Sequence, residues 1–176
     1  MMGQPGIAKM EALGELALQA GAAIMRHFGR AQAAIKPDGS PVTLADAEAE
    51  AIILTGLARL FPGIPVVAEE AAAKGDVPDI PTRFFLVDPL DGTREFLAGS
   101  TDFTVNIGLV QNSRPVAGVI FAPATGRLWL GDTRCEACDA APGSTMAAAA
   151  NRRFVHVRPL PVDGLVVAAS RSHLTP

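Results

Sequence analysis

The chain has 176 residues, 49% of them hydrophobic, and a formal net charge of −3, enough apolar side chains for one full core in an ordinary globular protein. The small charge and the lack of any Lys/Arg run exclude the electrostatic footprint needed to grip a nucleic-acid polymer or an anionic membrane. No apolar stretch approaches the ~20 residues of a membrane span, and the start lacks a basic-then-apolar secretion pattern, so a small ligand and a cytoplasmic setting are expected.

From about Pro5 to Phe28, apolar residues at Ile7, Met10, Leu13, Ala17, Ala20, Ile24 and Phe28 recur at steps of three and four, the stripe of an amphipathic helix. Residues 36–41 break it, and Asp38-Gly39-Ser40-Pro41 is turn chemistry. Thr43 with Asp46 three residues on has the form of a capping box and predicts a second helix through about Leu60, ended by Phe61-Pro62-Gly63. The period then changes. Short β-prone runs at 65–68 and 83–87 each lead into carboxylates, and runs at 103–110, 115–121 and 127–130 predict an antiparallel meander. Residues 135–150 read as a small-residue surface loop holding two free thiols, Cys135 and Cys138, with no second Cys or His pair to complete a zinc site. Runs at 154–157 and 165–169 predict two more strands.

The expected fold is α+β, two N-terminal helices packed on an antiparallel-rich sheet. The run at 165–169 leads into Ser170-Arg171-Ser172-His173, and Thr175-Pro176 has the form of an N-cap followed by a first helical residue. The sequence therefore stops where a helix is due to start. The expected organisation is a metal-binding catalytic domain over 1–160 and the start of a truncated second domain over 161–176.

Four acidic residues carry the chemistry: Glu69 and Glu70 after the first strand, then Asp88 and Asp91 in Asp88-Pro89-Leu90-Asp91-Gly92-Thr93. Carboxylate crowding is costly unless cations lie between the groups, and an all-oxygen donor set favours Mg²⁺ over Zn²⁺. Pro89 stiffens the turn and Gly92 permits close backbone approach. Thr93-Arg94-Glu95-Phe96-Leu97 is able to form a short helix whose free N–H groups face the same spot as an anion site. Cations beside an amide-lined anion pocket are what metal-assisted phosphate ester hydrolysis requires. The bland alternative is an acidic turn that only caps a strand. No G-x-S-x-G elbow, P-loop or dinucleotide fingerprint occurs, and His27 and His156 read as structural.

The string Asp88–Thr93 resembles the signature of the inositol monophosphatase superfamily. The likeness runs through Asp38-Gly39-Ser40-Pro41-Val42-Thr43 with Asp46, and through Val66-Val67-Ala68-Glu69-Glu70. Arg94-Glu95-Phe96, Phe103-Thr104-Val105-Asn106-Ile107 and Ser170-Arg171-Ser172-His173 resemble the CysQ-type 3′(2′),5′-bisphosphate nucleotidases in particular. The resemblance implies an αβαβα sandwich of which this chain supplies the N-terminal domain, with the C-terminal α/β domain missing. It implies two or three Mg²⁺ ions, with Glu69, Asp88 and the Leu90 carbonyl on one and Asp88 with Asp91 on a second. Thr93, oriented by Asp46, is implied to activate the attacking water, with Glu70 supporting it or holding an auxiliary metal. Gly92 and Thr93 are implied to bind phosphate through backbone N–H groups, and His173 with Ser170 and Ser172 to contact the nucleotide phosphate, the alternative being a solvent-exposed capping segment; Arg94 reads as steering an anionic substrate or as an ordinary surface charge. The implied substrate is 3′(2′)-phosphoadenosine 5′-phosphate or its phosphosulfate; an inositol or fructose phosphate is the alternative, and a homodimer is left open. The family carries a further metal-binding Asp in a Trp-Asp motif, whereas the only Trp here, Trp129, precedes Leu130. These residues alone are therefore expected to be inactive or feeble, or to form a non-catalytic, metal-binding or self-associating piece.

Overall fold

A computed structural model describes residues 7–36, 39, 41–73, 75 and 82–167. The first stripe forms helix α1, Ile7–His27, and buries Met10, Leu13, Ala17, Ala20 and Ile24 completely or nearly so. Leu16 and Leu18 are buried as well, because α1 packs on helix α2 as well as on the sheet. A Cβ on Gly56 of α2 would lie 2.1 Å from the Leu16 side chain, so the two helices meet where only hydrogen fits. Helix α2 runs Leu44–Leu60 and opens on the expected capping box.

Between the helices the structure adds a two-stranded hairpin, β1 (Ala33–Ile35) antiparallel to β2 (Pro41–Thr43). It was hidden in what reads as turn sequence because strands of three residues carry no measurable period. Pro37, Asp38 and Ser40 of that turn lie outside the described residues. Strand β3 (Val66–Ala68) leads at once into a short helix α3 (Glu69–Ala73), so Glu69 and Glu70 sit in a helical first turn rather than on a strand end. Strand β4 (Arg83–Asp91), helix α4 (Thr93–Leu97), and strands β5 (Thr104–Gln111), β6 (Arg114–Ala122) and β7 (Arg127–Gly131) follow.

The expected loop at 135–150 is a correction. Strand β8 (Cys135–Asp139) pairs with β7, a 3-10 turn spans Met146–Ala148, and β9 (Ala150–Val155) pairs with β8. Small residues suit this strand because Ala137 and Cys138 are fully buried and Met146 packs in the core. Both thiols are free, Cys138 inside and Cys135 at the surface. Strand β9 begins four residues earlier than the 154–157 run, drawn by pairing along β8. The expected strand at 165–169 is also corrected as far as 167: Leu165, Val166 and Val167 are exposed and unassigned, and no strand among the described residues pairs with them. Ala168, Ala169 and Ser170–His173, with the candidates Ser172 and His173, lie outside the described residues.

The seven strands lie in the order β3-β4-β5-β6-β7-β8-β9, parallel only between β3 and β4. Both long helices cover one face, which buries Phe85, Val87, Val105, Ile107, Leu109, Val119 and Phe121. Alternation puts Leu86, Gly108, Gly118 and Gly131 on the other face, in one cross-strand row. No helix among the described residues is long and apolar enough to cross a membrane.

Candidate active site

Asp88 and Asp91 are three residues apart, a spacing that in a regular strand points them to opposite faces. The register prevents this. Asp88 pairs with Asn106 and Asp91 with Thr104, so three steps on β4 face two on β5 and one extra residue is absorbed as a bulge. Both carboxylates thereby reach the same side, while Pro89 and Leu90 turn into the protein. Proline is tolerated here because a bulge interrupts the ladder that its missing N–H would break. The signature string is thus the bulged end of a strand rather than the free turn expected from its composition.

The chain then turns at Gly92, which has φ 90°; a Cβ there would lie 2.8 Å from the Asp102 carbonyl oxygen. Beneath the corner, Phe96 and Phe103 are 1% exposed, with ring centroids 5.2 Å apart, and Phe28 packs 5.7 Å and 5.4 Å from them. This aromatic cluster fixes α4. Its first internally bonded amide is that of Phe96, donating to the Gly92 carbonyl. Gly92, Thr93 and Arg94, at the head of this helix ahead of that bond, line the pocket.

Asp46 links this corner to the helices. It is 1% exposed. Its Oδ2 accepts from the Thr43 amide at 2.8 Å, which with the Ala45 amide donating to the Thr43 hydroxyl oxygen at 3.1 Å makes the capping box, and also from the Thr43 hydroxyl at 2.7 Å. Its other oxygen, Oδ1, lies 3.2 Å from the Thr93 hydroxyl, which also lies 3.0 Å from the Leu90 carbonyl. Both neighbours are acceptors, so the single Thr93 proton is committed to them and its lone pairs are left to accept from outside.

Asp88 lacks such support. Burial, then the charge and hydrogen bond of Glu69, then the charge of Asp91 push its carboxyl up to about 8, against the pull of the Leu90 amide. Asp91 is exposed and accepts from Asn106 Nδ2 at 3.2 Å, with Thr104 donating in turn to Asn106 Oδ1 at 3.1 Å. Glu69 and Glu70 converge on Lys36, whose Nζ lies 2.9 Å and 2.6 Å from their Oε1 atoms. Burial works against the Lys36 charge, but its bonds to Glu70 and Glu69 outweigh it and hold the ammonium above the ordinary lysine range. For Glu70 burial outweighs Lys36, and its carboxyl is raised. The Glu70 amide donates to Glu50 Oε2 at 3.0 Å, which anchors the start of α3.

Glu69, Asp88, Leu90, Asp91, Gly92, Thr93 and Arg94 line one pocket of about 190 Å³ together with Pro41 and Glu95. Glu70 and Asp46 stand behind it. A groove of about 750 Å³ on the open sheet face shares Asp88 and Asp91 with the pocket and runs past Asn106, Ile120 and Trp129. The glycine row keeps its floor low.

Among the described residues, no three His, Cys, Asp or Glu side chains stand in an arrangement that would hold a metal ion. The Glu69 carboxylate is engaged by Lys36 and the Asp91 carboxylate by Asn106. The chemistry nevertheless fits a hard divalent cation. The donors are all oxygen, and a buried carboxyl raised by two like-charged neighbours is the condition such an ion relieves. Sequence reasoning missed Lys36, Glu50 and Asn106. Glu50 was open to discovery, since Asp46 and Glu50 are four apart on an otherwise apolar helix face; Asn106 stands inside a CysQ-like string without a role of its own, and Lys36 carries no such signal.

Known proteins share this arrangement of elements. The profile of the inositol monophosphatase family matches residues 9–166. The 3′(2′),5′-bisphosphate nucleotidase CysQ of Salmonella typhimurium strain LT2 is 44% identical over 131 residues, which is 68% of this chain and 53% of that one. The inositol-1-monophosphatase of Mesorhizobium japonicum is 40% identical over 119 residues, 65% of this chain and 44% of its own. The crystal structure of CysQ from Bacteroides thetaiotaomicron matches with a TM-score of 0.69 at 32% identity, over 96% of this chain and 65% of that one. The chain spans about half the length of the curated relatives it matches.

Proposed function

The chain belongs to the inositol monophosphatase family, and from that premise we propose that it builds the catalytic centre of a Mg²⁺-dependent phosphatase acting on the phosphate monoester of a small molecule. Likeness to the nucleotidases makes 3′(2′)-phosphoadenosine 5′-phosphate, or its phosphosulfate, the favoured substrate. The observation that carries the reading is the Thr93 hydroxyl, fixed by Asp46 at 3.2 Å on the wall of a pocket that also holds Glu69, Asp88 and Asp91.

Glu69, Asp88 and the Leu90 carbonyl would hold one ion, and Asp88 with Asp91 a second. Bound there, Mg²⁺ would lower the pKa of a water and neutralise charge on the ester oxygens. The chain's own groups do the rest. Thr93, its proton engaged inward, accepts a hydrogen from the attacking water and so orients it. Asp46 keeps that hydroxyl from rotating. The amides of Gly92 and Thr93 receive the phosphate oxygens at the start of α4, and exposed Arg94 on the rim attracts the anionic remainder of the substrate. Glu70 supports Glu69 from behind. Because the family's further Asp belongs to a Trp-Asp motif and Trp129 here precedes Leu130, turnover by these residues alone is slow.

The test is phosphate release from 3′-phosphoadenosine 5′-phosphate with and without Mg²⁺, beside Asp91→Asn and with inositol 1-phosphate in parallel. Release that needs Mg²⁺, is lost in Asp91→Asn and favours the nucleotide supports the proposal. Release above background that is equal in every sample sinks it. A non-catalytic reading, self-association through the open sheet face, rests on the exposure of Leu86 (52%) and Ile120 (47%) there; a clean monomer in sedimentation combined with turnover removes it.

A further inference from the structure

Lys36 follows β1 and reaches across to the first turn of α3. Its side chain is 8% exposed although it is a lysine, and the Glu70 side chain beneath it is 6% exposed. A lysine this deeply covered is rare unless paired, and here one ammonium serves two carboxylates adjacent in sequence. Glu69 is also the residue whose charge and hydrogen bond bear on Asp88. One glutamate therefore lies between two claims, the ammonium on one side and the Asp88–Asp91 carboxyls on the other. Glu70 does not need Lys36 to hold its backbone, because Glu50 already anchors its amide.

We propose that Lys36 is an internal counter-cation: it neutralises the Glu69–Glu70 pair in the metal-free protein and must leave Glu69 for a divalent ion to load beside Asp88. The proposal rests on the metal-dependent reading above. A lysine suits the role better than an arginine, since its ammonium is a compact point charge on a flexible four-carbon stem, able to withdraw without backbone movement, whereas a guanidinium forks across two oxygens. Three consequences follow from charge alone. The ammonium repels an incoming cation, it occupies a ligand oxygen, and its presence keeps Glu69 and Glu70 from destabilising each other before metal arrives.

Equilibrium Mn²⁺ binding, read from the electron paramagnetic resonance of the free ion, tests this in the native chain, Lys36→Met and Lys36→Arg. Lys36→Met is expected to bind at least about tenfold more tightly than native, and Lys36→Arg no more tightly than native. Metal-free Lys36→Met is expected to melt below native and to recover at saturating Mn²⁺. Equal or weaker binding by Lys36→Met overturns the inference and leaves the metal reading standing; no binding by any of the three overturns both. A second measurement needs no variant. The ¹⁵Nζ resonance of Lys36 in the native protein is expected to shift as Mg²⁺ is added, and a resonance unmoved at saturation overturns the inference even if Lys36→Met fails to fold.

Discussion

Two strand-end carboxylates at opposite ends of the sheet have opposite fates. Asp139, closing β8, receives the Asn151 amide at 2.7 Å and lies 2.7 Å from the Arg127 guanidinium; the Asn151 bond above all, with Arg127 adding to it, holds its carboxyl below the usual range against the opposing effect of desolvation. Asp88, near the end of β4, is pushed up to about 8 by burial and by Glu69 and Asp91. The fold gives the first carboxylate a counter-charge and withholds one from the second. On the proposed function, the difference separates an acid completed by its own chain from one that an outside cation completes.

The contrast requires that packing, not pairing, holds the Asp88 end in place. Removing that packing has the largest expected effect. Phe96→Ala empties the aromatic cluster beneath the Gly92 corner and is expected to cost about 3–5 kcal/mol of stability in denaturant unfolding. A loss under about 1 kcal/mol would mean that the corner is held by something else. Supplying the missing partner comes next. At a hundred times its dissociation constant, Mg²⁺ is expected to stabilise the chain by about 2.7 kcal/mol, seen as a raised melting temperature. Asp88→Asn is expected to lose that response while the Asp139 end is untouched; a response retained in full would place the ion elsewhere.

Relieving the strain without metal should act in the opposite direction to most active-site changes. Asp88→Asn removes the uncompensated carboxyl and is expected to raise metal-free stability at pH 7 by on the order of 1–2 kcal/mol after solvent screening. The sign follows from linkage. A raised native pKa means that the folded state binds more protons than the unfolded state between about 4 and about 8, so the native carboxyl costs stability as pH climbs through that window, and the gap between variant and native widens. A variant less stable than native at pH 8 would show that Asp88 has an internal partner after all.

How much of this was legible in the sequence divides along the same line. The capping box, the two helices, the meander and the acids themselves are written in local spacing, because Thr43–Asp46 and the apolar stripes act within one or two turns of chain. The convergence is not. Asp88 and Asp91 share a face only because β5 imposes a bulge, and Glu69 meets Lys36 only because a hairpin of two three-residue strands carries that lysine to the first turn of α3; neither partner leaves a mark at the acid's own position. Strand β8 was illegible for another reason. Its alanine and cysteine look like loop composition until β7 and β9 flank them and make small, buried side chains the ones that fit.

The smallest expected effect tests the completed end. Asp139 has a depressed carboxyl, so its folded form holds fewer protons than its unfolded form once pH drops below the unfolded value near 4, and the stability it contributes is present above that pH and lost as pH falls through its folded pKa. Asp139→Asn keeps the size and removes the charge facing Arg127. Because this carboxylate is solvent-exposed, the change at pH 7 is expected to be slight, and the acid limb of a pH-unfolding curve is the more sensitive readout: the variant is expected to lose less stability than native between about pH 4 and pH 2. Native and variant curves that stay parallel across that range would mean Asn151 and Arg127 lend Asp139 nothing the unfolded chain lacks. The difference between the two ends of the sheet would then lie in the crowding of Asp88 alone.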